Sequence, residues 1–151
     1  VYQFIYARDL ADACLKACEK GTSTEVFNIG SDNVKSFKEV YRYVIEKAGS
    51  SSRLVSLPKG PTIFAMKLCY KLGLSPLGPY QYKMIAEDFV FDTQKIKTML
   101  DWEPTLTNEE MLFKAYEYYK ENKQLLQSSE SLSAHKQSAK MGIIKLLKYF
   151  S

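Results

Sequence analysis

Histidine is nearly absent from this 151-residue chain: the one copy, His135, lies in a polar stretch far from any other metal-type ligand. No zinc set can be assembled around it, and a triad that needs an imidazole base has none. Cysteine is scarce as well. Cys14, Cys18 and Cys69 cannot all pair, which points to a reducing compartment, and Cys14 and Cys18 sit four apart beside Ala13 and Ala17, where they read as small buried apolar residues. No apolar run approaches the roughly 20 residues that cross a bilayer, and no secretory leader is visible, so cytoplasmic residence is the expectation. The seven glycines, at 21, 30, 49, 60, 73, 78 and 142, are too widely spaced to form a loop that cradles a pyrophosphate.

What is present suits one modest domain, with 46% hydrophobic and 13% aromatic residues. The net charge of +4 is uneven. Residues 1–123 hold 17 Lys and Arg against 16 Asp and Glu, while residues 124–151 hold four Lys against one Glu. A nearly neutral body argues against nucleic acid as a partner, since that would require a basic stripe.

The chain opens on Val1 and enters a β-prone run at once, with no initiator Met and no polar leader. An extended segment needs flanking strands to pair its backbone groups, so a fragment of a longer protein is expected. Asp9 is placed as the N-cap of a first helix ending before Gly21, and residues 25–30 read as a strand. Ser36 and Glu39 form a capping box for a helix running to Gly49 along Phe37, Val40, Tyr41, Val44, Ile45 and Ala48. Residues 53–57 alternate like a strand that Pro58 ends. Further helices are expected from about Thr62 to Leu72, from Tyr80 to Ala86, from Asp92 to near Leu100, and from Asn108 to about Lys123. An extended piece falls at 88–91, and the fourth of these helices opens on the capping box of Thr107 and Glu110. Residues 124–140 read as a polar linker. In 141–151, Ile143, Ile144, Leu147 and Phe150 share a helical face. Their burial falls short of the ordering entropy of the segment. The tail therefore docks on the body, meets a partner, or makes peripheral contact with an anionic membrane.

Three motifs occur in order: Phe4-Ile5-Tyr6-Ala7-Arg8-Asp9-Leu10-Ala11-Asp12-Ala13, Val26-Phe27-Asn28-Ile29-Gly30, and Asp92-Thr93-Gln94-Lys95-Ile96 continuing to Leu100-Asp101-Trp102-Glu103-Pro104. Over residues 1–123 the chain resembles the C-terminal half of the extended short-chain dehydrogenase/reductases, the NAD-dependent epimerase/dehydratase group. The resemblance implies an α/β fold: the C-terminal part of a Rossmann-type enzyme, mostly helical with a few short strands. Asp101 stands where that family usually has Gly. A parent enzyme of this kind would use NAD or NADP to move hydride to or from a carbinol or ketone substrate, its cofactor and catalytic Tyr and Lys lying in a missing N-terminal half.

Three Tyr and Lys pairs at that family's spacing, Tyr43 with Lys47, Tyr116 with Lys120 and Tyr119 with Lys123, lie downstream of the first strand and read as packed Tyr and solvated Lys. No catalytic, cofactor-binding or metal residue is therefore assigned within the chain. By analogy, Tyr80, Tyr82 and Lys83, beside the Pro-rich loop Leu74-Ser75-Pro76-Leu77-Gly78-Pro79, are the candidate contacts to a small-molecule substrate. The Arg and Asp positions that hold a nucleotide diphosphate in sugar-modifying members correspond roughly to Tyr2, Tyr82 and Ile85. That departure leaves ketone, hydroxysteroid or flavonoid-type reductases of the same family as an alternative, and a non-catalytic scaffold with a membrane-peripheral tail as another. A homodimer also stays open.

Overall fold

The structure is a computed structural model that describes residues 1–20, 24–74 and 78–123, except for the side chains of residues 82, 83, 85 and 86. Six helices follow one another among the described residues: α1 (Ala7–Lys20), α2 (Phe37–Lys47), α3 (Lys59–Lys71), α4 (Pro79–Ala86), α5 (Gln94–Leu100) and α6 (Asn108–Glu121). The described residues divide into two compact units, one built from Val1–Ser51 and Asp88–Glu117, the other from Ser52–Glu87 and residues 118–123.

The expected α/β fold is not what forms. Among the described residues there is no named strand, and the architecture is all-helical, with a single isolated parallel bridge between Tyr2 and Phe89. The reason lies in how the extended segments satisfy their backbone. Gln3 N–H donates to Phe89 O at 2.9 Å, Phe89 N–H to Val1 O at 2.8 Å and Ser31 N–H to Phe4 O at 2.8 Å. The neighbouring groups go to side chains: Phe4 N–H donates to Asn108 Oδ1 at 3.0 Å, and Phe91 N–H to Gln3 Oε1 at 2.8 Å. Side-chain amides thus stand in for the next rung, and no ladder propagates. Residues 53–57 are exposed along their whole length, with Val55 75% and Leu57 65% accessible, so the alternation there has no face to pack against.

The helix ends follow local chemistry closely. Ser36 N–H donates to Glu39 Oε2 at 3.0 Å while Glu39 N–H reaches Ser36 Oγ at 3.4 Å, the expected reciprocal cap of α2. Thr107 N–H donates to Glu110 Oε2 at 2.8 Å at the start of α6. Gly49 and Gly73, beyond α2 and α3, take φ of +61° and +68°, the left-handed stop that glycine adopts without strain. Asp92 caps α5 from one position further out than expected: its Oδ1 accepts from Gln94 N–H at 2.8 Å, leaving Thr93 at the cap position.

Two expectations for α1 are corrected. Asp9 is not a cap but a buried residue of the first turn, two positions inside the helix. Cys14 and Cys18 are exposed, because the inward face of α1 is formed by Asp9 and Ala13, with Ala17 partly buried. In the first unit α1 packs on α5, and the core is Ala13, Ile96, Leu100 and Trp102, covered by Ile5, Ala17, Phe27 and Ile29. A second apolar contact runs through rings, with Tyr2 centred 5.1 Å from Phe89 and 6.1 Å from Phe37, which lies 6.0 Å from Tyr41. In the second unit α3 packs against α4.

Candidate functional site

A polar joint ties the beginning of α1 to the turn after α5. Trp102 is fully buried and its indole N–H donates to Asp9 O at 3.0 Å. The Asp9 carboxylate, in a residue 4% exposed, accepts from Thr105 N–H at 2.9 Å and from Thr105 Oγ1 at 2.6 Å. Both carboxylate oxygens are thereby engaged, and the group is held as a fixed acceptor rather than offered to a substrate. Asp101 makes the turn possible by adopting φ +53° and ψ +46° directly after α5, and its carbonyl accepts from Lys16 Nζ at 2.5 Å. Glycine enters that left-handed region most freely, and Asp is among the few other residues that tolerate it.

A second node is built on Asn108, the first residue of α6. Its Oδ1 accepts from Phe4 N–H and, at 2.5 Å, from Ser31 Oγ, while its Nδ2 donates to Tyr2 O at 2.5 Å. Gln3 completes the tie, its Nε2 donating to Ser31 O at 2.8 Å. Gly30 lies beside it, where a Cβ would come within 2.4 Å of Gln3 Cδ and force the Gln3 amide to move.

Two ion-pair groups flank these nodes. Lys35 Nζ donates to Glu109 Oε1 at 2.5 Å, and the Glu109 side chain is only 6% exposed. Burial pushes the Glu109 carboxyl up, but the Lys35 hydrogen bond and charge, together with local donors, outweigh it and leave the group below the usual carboxylate range. Lys97 Nζ is shared by Asp32 and, at 2.9 Å, by Glu103, and those two bonds, Asp32 first, hold its ammonium above the ordinary lysine value.

The sequence-predicted substrate contacts lie elsewhere. Positions 80, 82 and 83 all fall on α4, where the three-residue spacing puts 80 and 83 on one face. Tyr80 is 71% exposed, and the side chains of Tyr82 and Lys83 are outside the described residues. Of the Tyr and Lys pairs, Lys47 Nζ sits over the Tyr43 ring, 5.7 Å from its centre, and that ring meets Phe113 edge-on. A cation over a ring face does not activate a phenol oxygen. Among the described residues no group of His, Cys, Asp and Glu could hold a metal ion, and no helix is long and apolar enough to cross a membrane.

The joint residues Gln3, Ser31 and Asn108 were not singled out by sequence reasoning. Asn108 was visible only as the second residue of a capping box, and nothing local distinguishes it from a solvated helix start. Its partners lie 77 to 106 residues away. The linker at 124–140 and the tail at 141–151, with its proposed membrane contact, lie outside the described residues.

No family model matches the chain. It is 38% identical over 149 residues, 98% of its length, to the uncharacterized protein y4nG of Sinorhizobium fredii, covering 37% of that protein. It is 25% identical over 118 residues, 78% of its length, to a UDP-N-acetyl-alpha-D-glucosaminuronate decarboxylase of Bacillus cytotoxicus, covering 32% of it. Among solved structures, the crystal structure of gox2253 superposes on 81% of this chain and 39% of its own, with a TM-score of 0.57 and 19% identity. The chain spans about a third of the length of the curated relatives it matches. By these matches the chain is distantly similar to an enzyme of the extended short-chain dehydrogenase/reductase type.

Proposed function

We propose that these residues are the C-terminal, substrate-side portion of an NAD(P)-dependent oxidoreductase related to the epimerases, dehydratases and decarboxylases. The supporting observation is the joint of Asp9, Trp102 and Thr105. It uses the first and last of the three sequence motifs as one bonded unit, which accounts for their joint occurrence in a chain distantly similar to a decarboxylase. In this reading NAD or NADP supplies hydride transfer and is held by polypeptide outside the 151 residues, while this portion binds and orients the substrate through α4. Tyr80 presents an exposed ring and hydroxyl there, and Lys83 adds a positive charge without the two-pronged geometry of an arginine.

The test is calorimetric and kinetic. The 151-residue chain alone should take up no NADH. A longer polypeptide that ends in these residues and carries the additional length of the relatives should bind the cofactor and turn over. In that longer protein Lys83→Ala should raise KM while leaving kcat within about threefold, as expected when a binding contact is lost. Tight stoichiometric NADH uptake by the 151 residues alone would overturn the reading.

A further inference from the structure

The near neutrality of residues 1–123 conceals a segregation of charge. Residues 52–86 hold five cationic side chains and no Asp or Glu, whereas the rest of residues 1–123 holds 12 Lys and Arg against 16 Asp and Glu. At the average of the chain, 17 acidic residues in 151, about four would fall in that run. The run lies within Ser52–Glu87 of the second unit, so this positive charge belongs to that unit whatever polypeptide surrounds it.

Helix α3 gives the charge a shape. Thr62, Ile63, Met66 and Cys69 occupy its partly buried side. At about 100° per residue, Phe64, Leu68 and the C-cap Leu72 line up four apart on the opposite side, within an arc of about 80°. They are 69%, 47% and 62% exposed. Lys67 and Lys71 border this row along one edge. Neither forms an ion pair among the described residues, whereas Lys59 meets Glu87 at 3.4 Å. Lysines set among polar groups would suit a phosphate backbone, but lysines beside a row of Phe and Leu suit a boundary between charged headgroups and acyl chains. Their stems lie along the apolar side chains while the ammonium groups reach the headgroups. With 13 residues, α3 is about 20 Å long, too short to cross a hydrocarbon core of about 30 Å, so it fits the plane of the interface.

We propose that the outward face of α3 is a docking surface for an anionic membrane. Phe64, Leu68 and Leu72 enter the boundary between headgroups and acyl chains, and Lys67 and Lys71 meet the acidic headgroups. This surface is separate from the contact expected of residues 141–151 and independent of the catalytic reading above. Each lysine near such a membrane contributes about fivefold in affinity, so the binding is reversible and weakens with salt.

Co-sedimentation with vesicles tests this without cofactor or substrate, on the 151-residue chain and on the longer polypeptide that carries the additional length of the relatives. Both should bind phosphatidylcholine vesicles containing about 30% phosphatidylserine and neither should bind phosphatidylcholine alone. Lys67→Glu with Lys71→Glu should weaken binding at least about tenfold, and Phe64→Ser with Leu68→Ser at least about fivefold. Unchanged far-ultraviolet circular dichroism checks that these variants fold. Independently of them, Phe64→Trp should give a fluorescence that acyl-brominated lipids quench, while Trp102 alone is not quenched. The proposal is overturned if the acidic vesicles are not bound, or if binding ignores both α3 pairs and falls instead with Lys145→Glu and Lys148→Glu. Tighter binding of a single-stranded oligonucleotide than of the vesicles would also overturn it. So would binding by the 151 residues that the longer polypeptide lacks, which would mean that the additional length covers this face.

Discussion

Asp9→Ala removes the acceptor of two hydrogen bonds without touching the third. The carboxylate takes Thr105 N–H and Thr105 Oγ1, whereas the Trp102 indole bonds to the backbone carbonyl of residue 9, which any side chain retains. Bonds to a charged acceptor contribute about 1.5 to 3 kcal/mol each. The Thr105 hydroxyl can turn to water, because that residue is exposed, but its partly buried N–H is left without a partner. The expected loss is therefore about 3 kcal/mol, and Asp9→Asn, which keeps one acceptor oxygen, should cost about half as much. The chain has one Trp, and Trp102 is fully buried, so its fluorescence reports the unfolding of this joint directly. With a urea slope of about 1.5 kcal/mol per molar, the alanine variant should unfold about 2 M earlier. A double-mutant cycle with Thr105→Val should show a coupling of at least about 1 kcal/mol. A midpoint within about 0.3 M of the parent, or strict additivity in the cycle, would refute the reasoning.

Three further outcomes are expected. Glu109 has a folded-state value below its ordinary 4.5, so its stabilisation is complete above that pH and is lost as the pH falls through the lower folded value. Acid titrations of unfolding free energy should show this loss, and Glu109→Gln should flatten the slope below about pH 4.5. Asp101→Gly should be neutral or stabilising by up to about 1 kcal/mol in thermal unfolding, because glycine enters the left-handed region freely, while Asp101→Val should destabilise by more than that. Gly30→Ala should cost about 2 kcal/mol in urea unfolding, since its Cβ expels the Gln3 amide from its bonds to Ser31 and Phe91. In a Gln3→Ala background the same change should cost much less.

The parts of this molecule that sequence made legible are those decided within a few residues. The reciprocal cap at Ser36 and Glu39, the stops at Gly49 and Gly73 and the short helix before Glu87 depend on neighbours three or four positions away. The strands were misread for the complementary reason. A β-prone run states that a segment is extended and apolar, but pairing is a property of two segments, and here Gln3 and Asn108 intercept the backbone groups first. Asp9 and the cysteines of α1 show the same limit. Spacing located the helix, but which side turns inward was set by Trp102 and Thr105, more than 90 residues away. The substrate contacts assigned to α4 came from resemblance alone, and Tyr80 stands exposed there.

The first unit is discontinuous, closing residues 1–51 upon residues 88–117, and its polar ties join groups as much as 106 positions apart. During synthesis, then, the amino-terminal third leaves the ribosome without Trp102, Thr105 or Asn108 to receive it. Its buried donors and apolar rings must wait, at about 5 to 20 residues per second, for several seconds. Such non-local closure is intrinsically slow to form. The nascent α1, with Leu10 and Leu15 exposed even after closure, offers a chaperone an apolar face to hold.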